Sequence, residues 1–385
     1  MPLPFCSEAG SRPTRSPTTL FETDSETDID MTAAEFGWPK VLGSLVSGED
    51  LSSAAAQWAM TQIMSGDATD AQVAGFALTL RAKGESAAEM VGLSDAMLAA
   101  ARRISVPGPA VDIVGTGGDR SHSVNISTMA ALVVAGTGAR VVKHGNRAAS
   151  SSCGAADVLE ELGLMLTLTP DQVAQCAIEA GITFCFAQVF HPAMRHAAGP
   201  RREIGVPTCF NFLGPLTNPA QPGAQAVGCA DAQMAPVMAH VFADRGVSAL
   251  VFRGDDGLDE LTVSTTSSLW RVVGGQVRTL TVDPEQLGLS LSPLSELRGG
   301  DRSVNAQVVR DVMSGAQRGA IRDAVVLNAA AALVALEDTA TTAVPADEDF
   351  SVRLRGAMER AAEAIDGGGA MASLERWIAV THRLA

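Results

Sequence analysis

One stretch constrains this chain more than any other. Residues 111–162 read VDIVGTGGDRSHSVNISTMAALVVAGTGARVVKHGNRAASSSCGAADVLEEL. The apolar run Val111–Val114 reads as a strand and stops at a glycine turn, Gly115-Thr116-Gly117-Gly118-Asp119. Asn125, Ser127 and Thr128 then stand where a helix should begin, before the apolar pattern of Met129–Val134, and such polar residues are favoured at helix starts. Gly136 and Gly138 can end that helix, and Val141-Val142 reads as the next strand. Strand, helix and strand in this order make a βαβ unit, because parallel neighbours need a crossover connection.

Both strands end in groups that suit an anion. Glycines lack Cβ and let backbone N–H groups come close. A helix N-terminus adds unpaired donors and the positive end of its dipole. After the second strand, Lys143, Arg147 and Ser150-Ser151-Ser152 add cations and hydroxyls. The glycine turn does not fit the usual nucleotide motifs. No Lys-Ser or Lys-Thr follows it, and Asp119 and Arg120 break the G-x-G-x-x-G spacing.

Through GTGGD, NIST and KHGNR the chain resembles the anthranilate phosphoribosyltransferases, from about Leu51 to the C-terminus. The resemblance implies joining of anthranilate to phosphoribosyl pyrophosphate with Mg²⁺, two ions, as cofactor. Phosphoribosyl pyrophosphate then falls to Gly115, Gly118, Asp119, Ser123, Asn125, Ile126, Ser127, Thr128, Lys143, His144, Gly145, Asn146, Arg147, Ala148, Ala149, Ser150, Ser151 and Ala155. Anthranilate falls to Gly115, His144, Asn146, His191, Arg201, Gly214 and Pro215, with Arg201 as the carboxylate anchor. Metal falls to Ser127, Asp259 and Glu260, and Lys143, Asp259 and Glu260 are the expected catalytic groups. Arg120, Ala155, Gln188 and Arg253 depart from the family's usual residues, and Gln188 borders the expected anthranilate entrance.

The resemblance also frames the rest of the chain. Residues 1–35, rich in Ser, Thr, Pro, Asp and Glu without an apolar period, are expected to be a disordered tail. Residues 36–106 read as a helical domain, joined by the returning segment 191–206; Trp58, Ile63, Val73, Phe76, Leu80, Met90 and Met97 recur at helical spacing, with Ser52 and Asp70 as candidate caps. In the family this domain makes a homodimer contact. Pro107-Gly108-Pro109 is a break, and residues 107–385 alternate helix and strand. The expected fold class is α/β, a small helical domain beside a larger domain with a mostly parallel central sheet flanked by helices. Expected helices are Pro170–Ala180, a polar helix led by residues 191–195 and running through Arg201, Met234–Arg245, Ala306–Met313, Ala320–Leu336 and Phe350–Ile365. Expected strands are Thr183–Ala187, Ala249–Phe252 and a hairpin across Gly274-Gly275.

Read on residues alone, Asp259-Glu260 also fits a solvated acidic turn, since Asp255 and Asp256 stand beside it. The formal charge of −15 argues against broad binding to nucleic acid or an anionic membrane. It also leaves Lys143 conspicuous, as lysine occurs otherwise only at Lys40 and Lys83. The six cysteines form no C-x-x-C pair, which fits free thiols in a reducing cytoplasm. No apolar run reaches the 18 residues of a spanning helix. A nucleoside phosphorylase shares the fold class and stays open as an alternative, as does a nucleic-acid-binding relative; a basic groove would favour the latter.

Overall fold

The computed structural model describes residues 36–148, 152–343 and 349–385. The expected tail and the candidate phosphate contacts Ala149, Ser150 and Ser151 lie outside the described residues. Four helices come first: Trp38–Val46, Ser53–Ser65, Asp70–Lys83 and Ala87–Ala99. Ser52 caps the second through its side chain, as the sequence predicts. The third is capped by Thr69, not Asp70. Thr69 has the extended backbone a cap needs, and it exchanges a capping box with Gln72, leaving Asp70 in the first turn.

Seven strands follow: β1 Val111–Gly115, β2 Val141–Gly145, β3 Ile182–Phe186, β4 Ala224–Gly228, β5 Ser248–Gly254, β6 Ser267–Val273 and β7 Gln276–Val282. They form one sheet in the order β3-β2-β1-β4-β5-β6-β7. The first five are parallel, and β6 and β7 close one edge as an antiparallel hairpin. The chain moves outward from β1 in one direction and from β4 in the other. The crevice at such a reversal, beyond the carboxyl ends of the strands, is where open α/β sheets bind ligands.

The central strands are buried on both faces, and their side chains alternate between two apolar clusters. Val111, Ile113, Ala224, Ala226, Leu250 and Phe252 pack into the apolar cluster that holds helices Ile126–Gly136, Ala320–Asp338 and Phe350–Asp366. Val114, Val227, Ala249 and Val251 face the opposite cluster, with the first four helices, Met234–Asp244, and Ala197 of helix Arg195–Ile204. A sheet covered on both faces is the α/β architecture expected.

Several elements escaped the sequence reading. β4, at the centre of the sheet, was not anticipated. Neither were helices Ala155–Glu161 and Gly369–Leu384. β3 begins and ends one residue before the expected Thr183–Ala187, because Ala187 starts the short helix Ala187–Phe190.

Candidate active site

The site begins with a gap between β1 and β2. Their ladder is registered only at Val111↔Val141, whereas β1 and β4 pair over five residues. A side-chain wedge takes over above that point. Asp112, fully buried, accepts the His144 N–H at 3.1 Å and the Asn218 Nδ2–H at 2.8 Å. The same Asn218 Nδ2 donates to the Val142 carbonyl at 2.8 Å. Burial pushes the Asp112 carboxyl up to about 6, against the pull of Lys143 and its two donors. The buried Lys143 ammonium reaches the Ile113 carbonyl of the neighbouring strand and the Ser127 hydroxyl, the latter at 3.2 Å. Burial lowers the lysine's pKa, while Asp112, Glu260 and Asp259 oppose that effect.

Across the end of β1 lies the segment carrying Asp259 and Glu260. Two glycines make room for it. A Cβ on Gly115 would stand 2.2 Å from Asp259 Oδ2, and one on Gly228 would stand 1.6 Å from the Asp259 carbonyl oxygen. No side chain fits at either position. The Gly117 N–H donates to Asp259 Oδ2 at 2.6 Å. Asp259 and Glu260 are 8% and 7% exposed, so this is no solvated turn. They lie in a bend beyond the β-strand, which frees both side chains from strict alternation.

Asp255 and Asp256 are occupied elsewhere. Asp255 takes hydroxyls from Thr266 at 2.5 Å and Ser268 at 3.0 Å, and Asp256 takes Thr262 at 2.6 Å. Neither Asp259 nor Glu260 makes an ion pair among the described residues. Burial, then the Asp119 charge, pushes Asp259 up to about 7. Burial and then Asp259 raise Glu260 well above the ordinary carboxylate range, with the Lys143 charge and then the Ser127 N–H opposing. Two buried acids with no direct ion pair, and only the Lys143 charge near them, suit a hard cation. Among the described residues no group of three His, Cys, Asp or Glu closes on a metal. A bound phosphate would therefore have to complete the shell, as is usual for Mg²⁺.

These groups line one cleft of about 760 Å³. Its wall includes Gly115, Gly118, Asp119, Ser123, Asn125, Ile126, Ser127, Lys143, His144, Gly145, Asn146, Arg147, Ala148, Ala155, Arg201, Asp259 and Glu260. Arg147 reaches the wall, but its guanidinium is held by Asp157 and Glu160 and lies over Phe186. Thr128 is buried off the wall. His191, Gly214 and Pro215 also stand behind it, contrary to direct contact with a ligand in this conformation.

The buried layer behind the wall fixes His144. Its Nδ1 lies 2.9 Å from the Gly214 carbonyl, which only accepts, so Nδ1 carries the proton. Nε2 is then a bare acceptor, and it has no partner among the described residues. Burial, followed by repulsion from His191, lowers His144 to about 3 and keeps the ring neutral. His191 packs at 5.1 Å between ring centroids and donates from Nε2 to the Thr217 carbonyl at 2.9 Å.

Arg201 sits on helix Arg195–Ile204, partly buried, with its guanidinium 5.4 Å from the Phe210 ring centre. It has no ion pair among the described residues, and burial lowers its pKa. Arg120, His122, Arg202, Val206, Pro207 and Asn211 also line the cleft. None was singled out as a contact from sequence, although Arg120 was flagged as a departure. Spacing gave no signal for the others.

The residues match known proteins along the same lines. The glycosyl transferase family pattern for a helical bundle domain matches residues 39–101, and that for an a/b domain matches residues 107–371. An anthranilate phosphoribosyltransferase of Nocardioides sp. is 60% identical over 346 residues, covering 90% of this chain and 99% of the relative. The chain belongs to the anthranilate phosphoribosyltransferase family. Another family member, from Salinispora arenicola, is 58% identical, with 90% and 97% covered. The solved anthranilate phosphoribosyltransferase of Thermus thermophilus superposes with a TM-score of 0.81 at 38% identity, covering 89% of this chain and 99% of that one. The Saccharomyces cerevisiae enzyme, solved with phosphoribosyl pyrophosphate and Mg, superposes at 0.79 with 27% identity, covering 90% and 98%.

Proposed function

We propose that this cleft transfers the phosphoribosyl group of 5-phosphoribosyl 1-pyrophosphate to the amine of anthranilate, the pentosyl transfer of tryptophan biosynthesis. The amine nitrogen forms a bond to ribose C1 as the bond from C1 to the pyrophosphate oxygen breaks. Pyrophosphate leaves, and the amine loses a proton. The observation that carries this reading is the meeting, in one cleft, of a buried lysine, two buried unpaired carboxylates and a partly buried unpaired arginine.

Each group has a part that its surroundings support. The turn 115–119 and the N-terminus of helix Ile126–Gly136 offer backbone donors to phosphate oxygens, and Lys143 adds a cation beside them. Asp259, Glu260 and Ser127 would hold Mg²⁺, with substrate phosphates completing the coordination of two ions. The metal, when bound, neutralises charge on the pyrophosphate and so improves the leaving group. Arg201 would take the anthranilate carboxylate through its forked donors. His144, held neutral by burial, would form part of the wall beside the amine. Catalysis in such a site rests on positioning and on prearranged charge. For the assembly we propose a homodimer through the helical bundle, whose Val46 and Leu78 are 74% and 42% exposed. Light scattering at micromolar concentration tests that. We also propose a cytoplasmic setting, in keeping with the buried free thiols; no helix among the described residues is long and apolar enough to cross a membrane.

Loss of anthranilate fluorescence tests the reaction. It should require both phosphoribosyl pyrophosphate and Mg²⁺. Absence of turnover, together with phosphate-dependent cleavage of a nucleoside, would favour the phosphorylase reading instead.

A further inference from the structure

The N-terminus of helix Ile126–Gly136 faces the cleft, yet the residue at its cap position does not cap it. Asn125 makes no side-chain bond to its own helix. Both ends of its amide are used elsewhere. Nδ2 donates to the Cys153 carbonyl at 3.1 Å, across the loop that follows β2. Oδ1 accepts from Asn305 Nδ2 at 2.9 Å. Asn305, 2% exposed, stands in helix Arg302–Met313, 180 residues along the chain from Asn125. Its own Oδ1 accepts the Gly300 N–H at 2.8 Å, which sets the amide's orientation and leaves Nδ2 facing Asn125.

The segment before Asn305 runs beside the same cleft loop. The Gly299 N–H donates to the His122 carbonyl at 2.8 Å, and the Val124 N–H donates to the Leu297 carbonyl at 2.9 Å. Ser123 and Arg298 form an antiparallel bridge. Contact is close: a Cβ on Gly299 would lie 2.7 Å from Asn305 Oδ1 and 3.2 Å from the Ser123 carbonyl oxygen. The loop held in this way carries strain. Arg120 and His122 have φ of 59° and 54°, a left-handed region that residues other than glycine enter seldom, arginine less readily than Asn, Asp or His. Such a turn persists only where its surroundings hold it.

We propose that Asn305 is a positioning residue for phosphoribosyl pyrophosphate, acting through Asn125 to hold loop 119–125 and the Cys153-Gly154 segment ahead of helix Ala155–Glu161 at a fixed separation. It rests on the reaction proposed above. Asn305 is not on the cleft wall, so its action is indirect. Because its partner Asn125 is engaged elsewhere, its side chain does not take up the first N–H groups of helix Ile126–Gly136; of these, Ile126's goes to the Val124 carbonyl and Ser127's to Glu260.

The test uses the full chain supplied with Mg²⁺. Asn305→Asp keeps the acceptor for Gly300 but turns an oxygen toward Asn125 Oδ1. One lost buried hydrogen bond corresponds to roughly a tenfold effect. The KM for phosphoribosyl pyrophosphate should rise about that much, with the anthranilate KM held within about twofold. Asn305→Ser, read by the same criteria, covers the case in which the aspartate variant does not fold. The double variant Asn125→Ala/Asn305→Ala should be no worse than Asn125→Ala alone, since both remove one link. Val309→Ala, in the same helix and fully buried, should lower the melting temperature without raising that KM. An unchanged KM in Asn305→Asp, multiplicative losses in the double variant, or an equal KM rise in Val309→Ala would each overturn the proposal. Failure of the wild-type chain to consume anthranilate would instead sink the reaction itself.

Discussion

Replacing Asn218 by alanine probes how the gap between β1 and β2 is held open. The side chain is 2% exposed and donates to two acceptors, Asp112 Oδ2 and the Val142 carbonyl, both at 2.8 Å. Alanine offers neither bond. Losing a hydrogen bond to a charged group costs about 1.5–3 kcal/mol, and an unpaired buried carbonyl costs about 1–3 kcal/mol. Because the two share one donor group, about 3–5 kcal/mol together is a fair expectation. At roughly 2 °C per kcal/mol for a chain of this size, the melting temperature should fall by about 6–10 °C.

The loss should also depend on pH, with a definite sign. Asp112 is already raised from 3.8 to about 6 in the fold. A carboxyl whose folded pKa lies above its unfolded one binds more protons when folded, so stability falls as pH rises between the two values. Without Asn218 the folded pKa climbs further, and the fall continues past pH 6. The deficit of Asn218→Ala should therefore be larger at pH 8 than at pH 5.5. Differential scanning calorimetry at both values reads the effect. With the wedge gone, Lys143 loses its fixed approach to Ile113, and the KM for phosphoribosyl pyrophosphate should rise as well. A melting temperature within 1 °C of wild type, or a deficit that shrinks with pH, would show that Asp112 and Asn218 do not hold the strands apart.

Three further outcomes are expected. Arg201→Ala should raise the anthranilate KM by roughly 10- to 150-fold, the equivalent of a charge-assisted pair, with only a small loss of melting temperature, since no ion pair is lost and the contact given up is the one over the Phe210 ring; an unchanged KM moves the carboxylate anchor elsewhere. Asp259→Asn and Glu260→Gln should each need more Mg²⁺ for half-maximal rate and lose kcat, and a wild-type Mg²⁺ titration curve in both would remove the metal site. His191, lowered to about 4 by burial, binds fewer protons folded than unfolded between pH 4 and 6.5, so its contribution is lost as pH falls through that window. His191→Gln should accordingly gain about 2 kcal/mol relative to wild type between pH 7.5 and pH 5, measured by urea unfolding, and a constant difference would place a charged imidazole in the fold.

What the sequence made legible follows from where its signals are local. The strand, glycine turn and helix of residues 111–136 carry their own periodicity and punctuation, and they formed as read. β4 did not announce itself. Its residues, Ala-Gln-Ala-Val-Gly, have little β-branching, and small residues there answer a tertiary need: Gly228 must let the Asp259 backbone cross within van der Waals reach. The acidic turn was ambiguous for a similar reason. Nothing in the string DDGLDE says that Asp255 and Asp256 bind hydroxyls of the following loop while Asp259 and Glu260 turn inward. Asp112, Asn218 and Asn305 were passed over altogether. Each acts on a partner 30 or more residues away: Asp112 on His144, Asn218 on Asp112, Asn305 on Asn125. An asparagine before a proline, like Asn218, or inside a helix, like Asn305, reads in one dimension as a turn former or a solvated face. Its meaning is set by burial, and burial is decided only once the sheet order has brought β1, β2 and the returning chain together. Residues that would touch the substrate lie in motifs because several must act within one loop. Residues that hold those loops apart answer to a distance between segments, and a distance between segments has no spacing to read.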